Sequence, residues 1–154
     1  MKSIYRPAVL LLLSLGFADP LRITMQGDST KPSSEQESST QSTTSKKRQI
    51  DRGRYLVEEV ARCPDCHTPR NSDGKLDRSH WLMGGPVWMI PVQSKQPWSL
   101  TAPALAHFPY SDQQGEDVLE RGIGTNGIPI QPPMHAYHLK HEDALAIIAY
   151  LRSL

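Results

Sequence analysis

The sequence predicts an all-α domain over residues 50–154, preceded by segments that do not fold with it. Three observations carry this. Apolar residues recur at helical spacing in three stretches, strand-like alternation appears nowhere, and the connections are rich in Pro and Gly, as in Gly84-Gly85-Pro86 and Pro132-Pro133.

The chain has 154 residues, of which 38% are hydrophobic, too few for a packed core along its whole length. It therefore divides. Residues 1–18 open with Lys2 and Arg6 and continue as an apolar run from Ala8 to Ala18, with Gly16 and Ala18 as small residues before Asp19. This pattern predicts a secretory signal peptide. The alternative is an uncleaved short anchor, although the run is well below the roughly 20 residues that span a bilayer. Residues 19–49 read as a disordered linker: most positions from Asp28 to Ser45 are Ser or Thr, and no apolar periodicity repays the cost of order. A flexible stretch of this length reaches about 30 Å. Lys46, Lys47 and Arg48 close it as a solvated basic patch.

In the folded part, Asp51 is placed to cap a first helix whose stripe is Leu56, Val57 and Val60, and which runs into Cys63. A second helix is expected from Asp112 to Arg121, capped by Ser111 and ended by Gly122. A third starts near Glu142 and carries Ala144, Leu145, Ile147, Ile148, Leu151 and Leu154 on a broad apolar face. Three short helices and long loops make a poor core for a domain of this length, so a large apolar group is expected to fill its middle.

The chemistry-bearing motif is Cys63-Pro64-Asp65-Cys66-His67. Two thiols three residues apart, followed at once by a histidine, form the C-x-x-C-H pattern of covalent haem attachment. The thiols can reach two vinyl groups on one porphyrin edge, and the imidazole can bind iron as the proximal ligand. Two rivals use the same residues. A zinc site lacks a second cysteine pair, because the chain has only two cysteines. A thioredoxin-like disulfide site needs a βαβ context that the sequence does not offer. The exported N-terminus agrees with haem attachment.

A sixth iron ligand is expected from Met134, which follows two prolines and lies just before the last helix. A lone methionine is otherwise core filler. Met83 and Met89, and His135, His138 and His141, are the alternatives. Net charge is +1, which is no electrostatic footprint for nucleic acid. From Ile50 onward acidic and basic side chains nearly balance, so no single-sign docking face is predicted.

With these residues in place, the sequence resembles a class I cytochrome c over about residues 51–154. The likeness rests on the haem motif, Gly85-Pro86, Met134 in its loop, and the closing Ala149-Tyr150-Leu151. Within that family it is closest to the cytochrome domains of membrane-bound dehydrogenases, through Arg52-Gly53-Arg54-Tyr55-Leu56-Val57, His67-Thr68-Pro69-Arg70, Pro132-Pro133-Met134 and the C-terminal Arg152-Ser153-Leu154. Those subunits often carry three tandem haem domains, whereas this chain has one haem motif.

The resemblance implies a fold of short helices and long loops around one haem. It implies that Gly53 lets Tyr150 pack closely, and that the Pro86 carbonyl accepts from the proximal histidine. The last helix departs from the family: Lys140 and His141 stand where a Ser, Thr or Asp cap is usual, which predicts a weakly held start. The implied function is a monohaem carrier, periplasmic or anchored facing the periplasm, with haem c and iron as cofactors. It would pass electrons between redox proteins, a dehydrogenase or an oxidase, and would itself not be an enzyme. The alternatives are a haem subunit of a membrane-bound dehydrogenase complex, and a haem enzyme or gas sensor with an open iron position.

Overall fold

The computed structural model describes residues 34–92, 95 and 97–154. The expected signal peptide and the linker up to residue 33 lie outside the described residues. The described chain is helix-rich, with one very short sheet and long loops, an arrangement compatible with a cytochrome c-like fold. No described helix is long and apolar enough to cross a membrane.

Helix α1 (Ser34–Tyr55) continues as a π-helical turn, Leu56–Val60. It begins well before the predicted boundary, so residues 34–49 are helical where the sequence predicts no order. The reason is local. Extending an existing helix costs far less than starting one, and the packed end at Ile50–Tyr55 supplies the start. Thr43 and Thr44 hydroxyls donate back to carbonyls of the preceding turn, and Lys47 pairs with Asp51 at 2.6 Å.

The motif turn, α2 (Pro64–His67), follows directly. Strands β1 (Gly85–Pro86) and β2 (Thr101–Ala102) pair antiparallel, Gly85 with Ala102 and Pro86 with Thr101. Two-residue strands carry no alternation, which is why the sequence did not predict them. Helix α3 (Asp112–Glu116) starts in a capping box: the Ser111 hydroxyl accepts from Gln114 N–H, and the Gln114 side chain accepts from Ser111 N–H. It passes into a second π-helical turn, Asp117–Arg121, which Gly122 ends in the left-handed region at φ 67°. Helix α4 (His141–Ser153) closes the fold.

Helices α1 and α4 pack against each other, and Leu56, Val57, Ala144, Ile147, Ile148 and Leu151 form the centre of the core. Gly53 allows the contact. A Cβ there would lie 1.9 Å from the Ala146 carbonyl oxygen and 2.7 Å from Tyr150 Cβ. The glycine thus faces backbone as well as the aromatic residue. Arg52 Nε donates to Asp143 at 2.9 Å beside this contact, and Tyr150 Oη donates to Glu58.

The start of α4 has no side-chain cap at Lys140. It is held instead by His141, whose Nδ1 lies 2.9 Å from a Glu120 carboxylate oxygen, and by the backbone bonds of Asp143 and Ala144 to the Lys140 carbonyl.

Gly53→Ala is expected to lower stability by about 1–3 kcal/mol through overpacking, although an alanine in an unhindered helix would gain about 1 kcal/mol. Denaturant unfolding decides by the sign. The Glu120 hydrogen bond raises the His141 pKa above its ordinary value, with Glu116 adding to it. A raised folded value means that the pair stabilises α4 fully below the ordinary imidazole pKa, and that this is lost as pH rises through the raised one. The His141 ring should titrate above a free imidazole by NMR, and Glu120→Gln should bring it down.

Candidate functional site

The π-helical turn delivers the motif. Cys63 N–H donates to the Val57 carbonyl at 3.0 Å, and Arg62 between them takes φ 54°, turning the chain away from the helix axis. Pro64 opens α2, where its missing N–H costs nothing. His67 N–H closes the turn onto the Cys63 carbonyl at 2.9 Å. The turn is then pinned from outside: Gly84 N–H donates to the His67 carbonyl at 2.7 Å, Leu82 N–H to the buried Thr68 hydroxyl at 3.0 Å, and Trp88 Nε1 to the Asp65 carbonyl at 3.1 Å.

The His67 ring is buried, and its Nδ1 is hydrogen-bonded to the Pro103 carbonyl at 2.8 Å. That bond fixes the ring and makes Nδ1 the donor. Nε2 has no protein partner, yet no buried side-chain nitrogen lacks one among the described residues, so Nε2 opens onto the cavity that His67 lines.

The acceptor corrects the expectation for Pro86. Pro86 is exposed in β1. The Gly84-Gly85-Pro86 stretch acts through pairing: β1 holds β2, and Pro103 is the residue after β2, so its carbonyl falls at the imidazole. Gly84, at φ 77°, allows the close passage, because a Cβ there would lie 2.7 Å from the Ala102 oxygen.

The cavity measures about 700 Å³, within the range of small-molecule and cofactor pockets. Cys63, Cys66 and His67 line it, and so do Met134, Met89 and His135. Its apolar wall comes from α3 and its π turn, the loop before α4, and α4 itself, through residues such as Phe108, Leu119, Ile130, Ile147 and Leu151. Met83 is half exposed and does not line it, and neither do His138 and His141. The chain turns at Pro132–Pro133, a cis peptide. The Pro132 carbonyl accepts from Ser99 N–H at 2.8 Å, and Leu139 N–H donates to the Leu119 carbonyl at 3.0 Å.

Burial pushes the Cys63 thiol up to about 11 and raises Cys66 as well. Both cysteines are unpaired. Raised thiols are the reverse of the activated thiolate that disulfide exchange needs. Burial lowers the His67 pKa, with the Pro103 bond working against it, so the neutral imidazole is favoured. Tyr137, half-buried in the cavity wall, is pushed up to about 12 by burial, with the two thiols adding to it. It remains a phenol that donates to the Ala61 carbonyl at 3.2 Å. Among the described residues the two thiols and His67 do not converge as a compact metal cluster. Glu116, Glu120 and His141 do, on the surface around the pair that holds α4.

Sequence reasoning missed Pro103 and Tyr137, and did not separate Met89, which lines the cavity, from Met83, which does not. Only Tyr137, three residues beyond Met134, left a local signal.

No family model matches the chain. It is 61% identical over 114 residues to a "Diheme cytochrome c-type" protein of Cereibacter sphaeroides, an alignment covering 66% of this chain and 34% of that protein. It is 34% identical over 110 residues to the "Fructose dehydrogenase cytochrome subunit" of Gluconobacter japonicus, covering 67% of this chain and 21% of that one. The chain spans about a third of the first relative and a fifth of the second. These two likenesses support a c-type cytochrome.

Proposed function

We propose that this chain is an electron-transfer protein that holds one haem, joined through Cys63 and Cys66, with His67 and Met134 as axial ligands. The observation that carries the reading is the shared cavity. Two thiols, an imidazole whose Nδ1 is already engaged, and a thioether all line one largely apolar space of about 700 Å³. The single C-x-x-C-H motif in this sequence supports one haem for this chain.

When bound, the haem would supply the redox chemistry, its iron alternating between ferric and ferrous states. The protein does the rest. Cys63, at the start of α2, and Cys66 within it both line the cavity. Pro103 keeps His67 in one tautomer and one orientation. The thioether of Met134 is a soft ligand that raises the reduction potential. The apolar wall would favour the less charged state. If His67 and Met134 both held the iron, no position on it would be left for substrate, which argues for a carrier over a haem enzyme or gas sensor.

A second reading, a haem subunit of a membrane-bound dehydrogenase complex, is favoured by the likeness to the fructose dehydrogenase cytochrome subunit. It keeps the same chemistry and makes the donor a dehydrogenase. The apolar start at residues 8–18 supports a periplasmic site of action, whether the segment is removed or retained as an anchor.

Mass spectrometry of the denatured protein should show one haem added covalently, and replacing both Cys63 and Cys66 by Ala should remove that mass. The ferric protein should absorb weakly in the far red, through charge transfer between methionine sulfur and iron. Met134→Ala should lose that band, bind carbon monoxide when ferrous, and show a lower potential. Met83→Ala should leave the band in place. Met89→Ala is the sharper comparison, because Met89 also lines the cavity; loss of the band there with retention in Met134→Ala would reassign the ligand. A change confined to His135→Ala would make the site bis-histidine.

A further inference from the structure

We infer that Tyr137 is a positioning residue that latches the Met134 loop to the cysteine-bearing turn; this rests on Met134 being an axial ligand. Cys63, Cys66 and His67 belong to one segment of chain, and Met134 to another far along it. Whatever lies between them feels the stability of the joint between those segments.

Among the described residues, the hydrogen bonds of the Met134 loop run mostly elsewhere. Pro132 accepts from Ser99, His138 Nδ1 meets the Glu120 carbonyl at 3.3 Å, and Leu139 donates to Leu119. The bond from Tyr137 Oη to the Ala61 carbonyl, at 3.2 Å, is the one that joins this loop directly to residues 56–67.

Its acceptor is well placed. Ala61 caps the π-helical turn, and the last carbonyls of a helix have no partner within it. Ala61 is itself fixed, because its N–H donates to the Leu56 carbonyl at 2.8 Å and Leu56 is buried in the core. Two residues later comes Cys63. The Tyr137 ring also packs on His135, with centroids 4.5 Å apart, so the side chain bears on both flanks of the ligand loop. The hydroxyl alone supplies the tie, and phenylalanine would keep the packing without it.

The test uses the full-length ferric holoprotein, titrated with imidazole, which competes with methionine for iron, while the far-red band is followed. Tyr137→Phe should keep the band without imidazole, and lose it at about three- to tenfold lower imidazole than wild type, the range that one net hydrogen bond supplies. Carbon monoxide association with the ferrous protein, gated by the same dissociation, should accelerate in parallel. Tyr150→Phe is the control, since it removes a comparable hydroxyl bond, to Glu58, from the core side of α1 and α4. It should titrate like wild type. If Tyr137→Phe also titrates like wild type, the latch is overturned while Met134 ligation stands. If both variants shift equally, the effect is general loosening and the latch is again overturned. If wild type has no far-red band, or Met134→Ala retains it, the ligand assignment fails and the latch fails with it.

Discussion

The close approach of α1 to α4 at Gly53 sets the position of nearly everything else. A backbone carbonyl where a Cβ would stand leaves no room for another residue there. Once the two helices are locked, α1 aims its π-helical end, and so Cys63, at one boundary of the cavity, while the start of α4 receives the loop that carries Met134. Helices α3 and α4 meet at a second glycine, Gly115, where a Cβ would lie 2.7 Å from both Ile148 Cδ1 and Phe108 Cζ. Small residues at the crossings let few helices surround a large space.

That space explains how so small a core can suffice. The buried apolar side chains form one cluster, and several of them, including Phe108, Leu119, Ile147 and Leu151, also line the cavity. Core and cavity wall therefore share residues. Any group held there adds its own apolar surface to the core, at about 25 cal/mol for each Å² removed from water. Binding and folding would be coupled for this reason, and bonds to the two thiols would make the coupling permanent.

What the sequence disclosed was local chemistry. Cys63, Cys66 and His67 were legible because their spacing is itself the geometry of a helical turn, and Ser111 and Gly122 because caps are decided within a few residues. The Gly53–Tyr150 contact was legible only through family likeness. Pro103 was not legible: its carbonyl reaches His67 because β1 and β2 pair, and two-residue strands have no pattern to read. The helix over Ser34–Gln49 was missed because composition reports burial, and residues 39–49 are all exposed; the helix is propagated from its packed end. Met83 and Met89 looked equivalent in sequence, yet only Met89 lines the cavity.

Met134, Met89 and His135 all line the cavity, and preorganisation is the reason for proposing Met134 as the ligand. A ligand must be held to a fraction of an ångström by groups that are themselves fixed. The Met134 loop is tied by backbone bonds at Pro132 and Leu139, and by side-chain bonds at Tyr137 and His138, to three separate parts of the fold: Ser99, Ala61, and the π-helical turn at Leu119 and Glu120. Met89 lies in a different setting. Its carbonyl accepts from Trp98 Nε1 at 3.3 Å and Val87 bonds to Leu100, but Trp88, Ile90, Val92 and Leu100 around it are exposed. A thioether on that stretch would have to order its own surroundings in order to bind, and conformational entropy opposes it. His135, though beside Met134, is an exposed residue stacked on Tyr137, and turning it to iron would break the contact that steadies the loop.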